Sequence, residues 1–246
     1  MREWSGKRYW LVGASEGLGA ALAQNMSRAG AELVLSARSE DKLAALAAEL
    51  PGRSEVRTCD VSDSTSVRAA AEAIGRIDGM VFLAGVYWPL KAQEWDPDKV
   101  EAMIDVNLTG AARCVGAVIG DMVERDAGHI VLTGSLSGFR GLPGATGYCA
   151  SKAGIMGMAE AMYADLRTTG VQVQIANPGF IKTRLTDKND FDMPFLMEPE
   201  EAAQHMFELM SGDDFKKSFP TVFSWLFRGG QFLPDALWYP IFARKG

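Results

Sequence analysis

Short apolar, β-branched runs alternate along this chain with Ala-rich stretches of helical period. Residues 9–12 predict a strand, and 19–29 a helix ended by Gly30. A second strand is predicted over 32–36. Leu43, Leu46, Ala47 and Leu50 then share one helical face behind a Ser39 cap. A short strand over 55–58 follows, then a helix marked by Val67, Ala70, Ala71 and Ile74, then a buried strand over 80–84. Helices are expected after Pro97 and over about 107–123, a strand over 129–133, a long helix over 148–166 and a strand over 171–176. Strand–helix alternation of this kind implies right-handed crossovers and a parallel sheet with helices on both faces. The expected fold class is therefore α/β: a doubly wound sheet in a single domain over 1–246, with an extended apolar C-terminal segment.

Composition narrows the function. The chain has 246 residues and a net charge of -6, which argues against a nucleic-acid partner. Cys59, Cys114 and Cys149 are far apart and form no C-x-x-C pair, so neither a disulfide framework nor a metal site is expected. A reducing, cytoplasmic setting fits this cysteine usage. The N-terminus is polar with no apolar signal region, and no uninterrupted apolar stretch reads as long enough to span a membrane. His129 and His205 stand alone, and His129, at the start of a strand, reads as structural.

Gly13-Ala-Ser-Glu-Gly17-Leu-Gly19 follows the first strand and opens a helix. Glycines let the backbone turn tightly and approach a pyrophosphate, while the helix N-terminus faces its charge. Gly13, Ser15, Gly17, Leu18 and Gly19 are thus candidate cofactor contacts, although glycines also serve ordinary turns. The second strand ends in Ser36-Ala-Arg38, without the acid that would hold the ribose 2′-hydroxyl of NAD. A guanidinium there suits a 2′-phosphate, so Arg38 points to NADP(H) over NAD(H); otherwise it is a solvated loop residue. Glu16 counts slightly against this, as a negative charge in the glycine turn. Asp60, followed by Val61, stands where it can accept from an adenine amino group, or it is a turn residue. Ala84 and Gly85 end the fourth strand and leave room for the ribose.

Tyr148-Cys-Ala-Ser-Lys152 places a phenol and an ammonium on one helical face. The ammonium is expected to stabilise the phenolate and lower its pKa toward the working pH. Ser135, thirteen residues earlier, offers a hydroxyl to a substrate oxygen, and Asn107 offers either a water-ordering amide or a helix-kink amide. Together Asn107, Ser135, Tyr148 and Lys152 resemble, in order and spacing, the catalytic tetrad of the short-chain dehydrogenase/reductase family. The resemblance covers about residues 7–185. It implies hydride transfer between a nicotinamide and a carbonyl or alcohol carbon, with Lys152 also holding the nicotinamide ribose. It further implies that Pro178 and Gly179 flank the nicotinamide, and that the Ile181 backbone and Thr183 hydroxyl contact its carboxamide or the phosphates. Two departures stand out: Phe82-Leu-Ala-Gly85 replaces the family's Asn-Asn-Ala-Gly, and the C-terminus lacks the short strand with a Val-Asp-Gly-Gly-like close.

Residues 185–197 should cover the site, with Met193, Phe195, Leu196 and Met197 forming an apolar lid or sealing the core. A helix over about 199–210 precedes an apolar extension over 211–246, densely aromatic in 218–242 and edged by Arg228, Arg244 and Lys245. That segment reads as a homo-oligomer contact (dimer or tetramer), a wall of the substrate pocket, or a foot on a membrane surface. A lipophilic small-molecule substrate is the expectation in each case. The contrasting reading is a catalytically idle NADP-binding sensor or scaffold on the same fold.

Overall fold

In the computed structural model, which describes residues 2–242, successive residues of each central strand bury against opposite layers. Strand β1 (Arg8–Val12) sends Tyr9 and Leu11 to one layer and Trp10 and Val12 to the other. This two-sided burial is why the strands read as continuous apolar runs instead of alternating ones. The other strands are β2 (Glu32–Ser36), β3 (Ser54–Val56), β4 (Gly79–Phe82), β5 (Gly128–Thr133), β6 (Val171–Pro178) and β7 (Lys216–Phe219). They form one parallel sheet in the order β3-β2-β1-β4-β5-β6-β7.

On one face lie α1 (Gly17–Arg28), α2 (Glu40–Glu49) and α7 (Pro199–Ser211), which contribute Leu22, Met26, Leu43 and Met206. On the other lie α3 (Ser64–Ile74), α5 (Gly110–Glu124) and α6 (Thr146–Leu166), which contribute Val67, Cys114, Val118 and Ile155. Between α4 (Pro97–Ile104) and α5 the chain makes one π-helical turn, Asp105–Thr109, centred on Asn107. The extension folds as α8 (Thr221–Gly230) and α9 (Asp235–Phe242), whose Phe223, Phe227 and Trp238 close on Leu136 in a satellite core.

Four expectations need correction. A C-terminal strand does exist: β7 pairs with β6 without the family's usual close. Its Lys216 and Lys217 hid it, but they sit at the sheet edge and are neutralised by Glu160 and Glu208, each at 2.7 Å. The third strand runs over 54–56, not 55–58. Ser39 occupies the first position before α2, yet its side chain makes no capping hydrogen bond. Finally, the π turn joins α4 to α5, giving a 28-residue helix, Pro97–Glu124, that is long and apolar enough to cross a membrane by length and composition. Its Cys114, Val118 and Met122 pack on the sheet, and Met103 is buried against Gly147 of α6. Arg244 and Lys245 lie outside the described residues.

Two polar features tie distant elements together. The Tyr9 hydroxyl meets His129 Nδ1 at 2.9 Å, and His129 Nε2 meets Gln174 Oε1 at 2.8 Å. The Gln174 amide nitrogen donates to the carbonyls of Leu209, Gly212 and Asp214, so its oxygen faces the imidazole. That oxygen only accepts, hence Nε2 carries the proton and Nδ1 accepts from the phenol. The second feature is the N-terminal segment. The Trp4 indole stacks on Phe207 (5.1 Å) and donates to Ser211 Oγ at 3.1 Å, at the end of α7.

Candidate active site

Beyond the carboxyl ends of β1 and β4 the sheet order reverses, and neighbouring connections leave on opposite sides. A cleft of about 670 Å³ opens there. The glycine turn forms its floor. A Cβ on Gly13 (φ +94°) would lie 2.4 Å from the Ala84 nitrogen, and one on Gly19 would lie 2.2 Å from the Gly13 carbonyl oxygen. Only glycine permits this crossing. Glu16 precedes α1 without capping it, so the first-turn N–H groups have no side-chain acceptor there. Gly13, Ser15, Gly17, Leu18 and Gly19 all line the cleft.

One end of the cleft is bounded by Arg38, Lys42, Asp60 and Val61. Arg38 is exposed. The Asp60 carboxylate accepts from the Ser62 amide (3.0 Å) and hydroxyl (2.6 Å), and these bonds hold its pKa below the usual value. It is therefore a turn residue that also faces the cleft. Ala84 and Gly85 line the middle, followed by Pro178, Gly179, Ile181 and Thr183 at the end of β6. The Thr186 hydroxyl braces this last segment, contacting the carbonyls of Ile181 (2.7 Å) and Thr183 (2.9 Å).

At the other end α6 presents Tyr148 and Lys152, with Ser135 opposite at the end of β5. Lys152 is buried, and its ammonium donates to the Thr133 carbonyl at 2.9 Å. Burial lowers its pKa from 10.5 to about 8. Burial also raises the Tyr148 phenol, partly offset by its hydrogen bond with the Ser135 hydroxyl. This corrects the expected depression of the phenol. The ammonium sits 5.6 Å from the Tyr148 ring centre and is engaged by Thr133, so desolvation governs the phenol. Ser135 Oγ also accepts from the Ser137 amide at 3.2 Å.

Of the residues expected at the site, Asn107 alone does not line the cleft. Its Oδ1 accepts from the Val86 amide (2.8 Å), and its Nδ2 donates to the Val86 carbonyl (3.0 Å) and to Ser151 Oγ (3.0 Å). The amide is thus spent on structure. It fixes the strand end where the family's asparagine is replaced by Leu83, and through Ser151 it ties to the Tyr148 carbonyl. These bonds are those of the helix-kink reading of Asn107.

The lid region divides. Met197 is buried and bridges Ile181, whereas Phe195 is 56% exposed and stacks on Phe223 at 5.4 Å. Phe180 contacts both Phe191 and Phe223 at 5.9 Å, so an aromatic wall runs outward from Gly179. Arg140 clamps the extension against this wall: it donates to the Leu233 carbonyl (2.7 Å), pairs with Asp235 and lies 5.1 Å from the Trp238 ring centre. Sequence reasoning missed several residues. The Tyr87 ring packs edge-on to Tyr148 at 5.0 Å, and Lys188 reaches the Tyr87 carbonyl at 2.7 Å. Lys42 and Arg184 enter the cleft from opposite banks. Two of these had a signal: Lys42 lies four residues beyond Arg38, and Arg184 follows Thr183 directly.

The cradle that a Cβ would fill, the uncapped helix end and the flanking cations fit a dinucleotide with its phosphates over α1. Comparison with known proteins agrees. The sequence profile of short chain dehydrogenases matches residues 7–193. An "uncharacterized oxidoreductase" of Myxococcus xanthus (strain DK1622) is 38% identical over 244 residues, covering 96% of each chain. The 3-oxoacyl-[acyl-carrier-protein] reductase FabG of Rickettsia conorii (strain ATCC VR-613 / Malish 7) is 30% identical over 188 residues, 76% of this chain and 78% of that one. Among solved structures, an actinorhodin polyketide ketoreductase with NADPH superposes with a TM-score of 0.80 at 25% identity, covering 89% of this chain and 97% of that one.

Proposed function

From the premise that the chain belongs to the short chain dehydrogenase family, oxidoreductases acting on carbonyl and alcohol groups, we propose that it is an NADP(H)-dependent reductase of lipophilic ketones, reversible toward the secondary alcohol. The observation that carries this is the convergence of Tyr148, Ser135 and Lys152 on the same cleft as the glycine cradle. When bound, the nicotinamide cofactor supplies or accepts the hydride. Gly13, Gly17 and Gly19 hold the pyrophosphate, Arg38 the 2′-phosphate, Asp60 and Val61 the adenine, and Ala84 and Gly85 the ribose. Pro178, Gly179, Ile181 and Thr183 seat the nicotinamide end. Ser135 Oγ donates to the substrate oxygen. Tyr148 Oη gives that oxygen its proton during reduction and takes it back during oxidation. Lys152 stabilises the resulting phenolate and holds the nicotinamide ribose.

Support for NADP comes from the missing acid at the end of β2 and from the NADPH bound by the polyketide ketoreductase. Support for a lipophilic ketone comes from the aromatic wall of Phe180, Phe191, Phe195 and Phe223, and from the 3-oxoacyl reductase among the relatives. The segment 185–197 acts as the lid of this pocket and α8–α9 as its outer wall. We also propose a homo-oligomer, supported by the exposed apolar Ile104 and Val123 on the Pro97–Glu124 helix.

A fluorescence titration with NADPH and NADH tests the cofactor reading. Tighter NADPH is expected, and tighter NADH overturns it. Tyr148→Phe should then abolish turnover of a ketone panel while leaving both dissociation constants within about twofold. Retained turnover refutes the role of Tyr148, and cofactor binding without turnover by the native protein favours the sensor reading.

A further inference from the structure

Glu16 stands in the glycine turn between two cations from opposite banks of the cleft. Its Oε2 meets Lys42 Nζ of α2 at 2.7 Å, and its Oε1 meets Arg184 Nη2 of the segment after β6 at 2.6 Å. All three line the cleft, and so does Arg38, four residues before Lys42 in the loop that leads into α2. One carboxylate thus spans the channel in which a dinucleotide must lie. It also neutralises the cation best placed to join Arg38 on a phosphate. The arrangement is exposed enough to exchange: the side chains of Lys42, Arg184 and Glu16 keep 51%, 68% and 37% of their accessible surface.

We propose that Glu16 is a specificity-determining residue that holds the place of the cofactor's 2′-phosphate, and that Lys42 is the second cation for that phosphate. Entry of NADP(H) exchanges the Glu16 carboxylate for the phosphate on Lys42. A dianionic phosphate replaces a carboxylate, while Glu16 swings away and keeps only Arg184. NAD(H) brings a neutral 2′-hydroxyl, so it leaves the Glu16–Lys42 pair intact. Glu16 therefore lowers affinity for NADP(H) and leaves affinity for NAD(H) nearly unchanged. The inference rests on the NADP reading above.

The experiment measures dissociation constants for NADPH and NADH by fluorescence in the full-length protein and in E16Q, K42M, E16Q/K42M and R38A. Glutamine keeps the size of Glu16 and removes its charge. E16Q is expected to tighten NADPH about fivefold, the scale of a partly exposed charge pair, and to move NADH less than twofold. K42M should weaken NADPH alone, and the gain from E16Q should vanish in E16Q/K42M. Raising the salt concentration should shrink the E16Q effect. An E16Q protein that loosens both cofactors alike is one in which Glu16 merely braces the cleft, and that result overturns the proposal. So does a gain that survives in E16Q/K42M. R38A separates the two levels. If R38A weakens NADPH selectively and E16Q does not discriminate, this inference alone fails. If R38A affects both cofactors equally, the NADP reading itself fails.

Discussion

Lys152 is charged where charge is costly. Its pKa of about 8 against 10.5 in the unfolded chain corresponds to roughly 3 kcal/mol of destabilisation in neutral solution. The sign follows from proton counting. Between about pH 8 and 10.5 the unfolded chain binds the proton and the folded one does not, so stability rises with pH through that window. Lys152→Met should therefore abolish turnover yet raise the melting temperature at pH 7, with the advantage fading toward pH 10.5. Loss of the hydrogen bond to Thr133 offsets part of the gain. Calorimetry at pH 7 and pH 10 checks both signs, and a variant less stable at pH 7 would contradict them. The spacing of Tyr148 and Lys152 was legible in the sequence because four residues make one helical turn. The raised phenol was not, since it comes from burial, to which the fold brings elements distant in sequence such as Tyr87.

Among the elements, the central strands were legible because burial on both faces forces unbroken apolar runs. Strand β7 was not, because an edge strand tolerates lysines once Glu160 and Glu208 answer them. The Asp105–Thr109 turn shows in the sequence only as a candidate kink at Asn107, since Val86 and Ser151 are distant in sequence. Asn107→Ala leaves the Val86 amide and carbonyl without this partner and should cost about 2–3 kcal/mol in urea unfolding. Turnover should fall as well, because the start of α6 loses its tie. An unchanged urea midpoint would mean that water replaces the amide without loss. The α8–α9 pair depends on a different clamp. Arg140→Ala should expose 218–242 to limited proteolysis and raise KM for lipophilic ketones more than it lowers kcat. A protease-resistant variant with unchanged KM would remove the extension from the substrate wall.

At the scale of the molecule, the Tyr9–His129–Gln174 chain links β1, β5 and β6 to the α7–β7 connection. Burial holds His129 at about 3, so it stays neutral in the fold while the unfolded chain protonates near 6.5. Stability must then fall as pH drops below about 6.5, by up to roughly 1.4 kcal/mol per pH unit from this group alone. Urea midpoints at pH 7 and pH 5 should show the decline, and His129→Gln should flatten it. His129 is legible in the sequence as structural, but its partners are not, one lying 120 and the other 45 residues away. A longer separation governs the N-terminal segment. Phe207 and Ser211, which cover Trp4, are made about two hundred residues after it. Between the synthesis of Trp4 and that of α7 the nascent chain therefore carries an uncovered indole. The helical layer over β1 is finished only when α7 arrives, so a chain stalled before residue 199 would present a sticky, half-clad sheet to the chaperones around it.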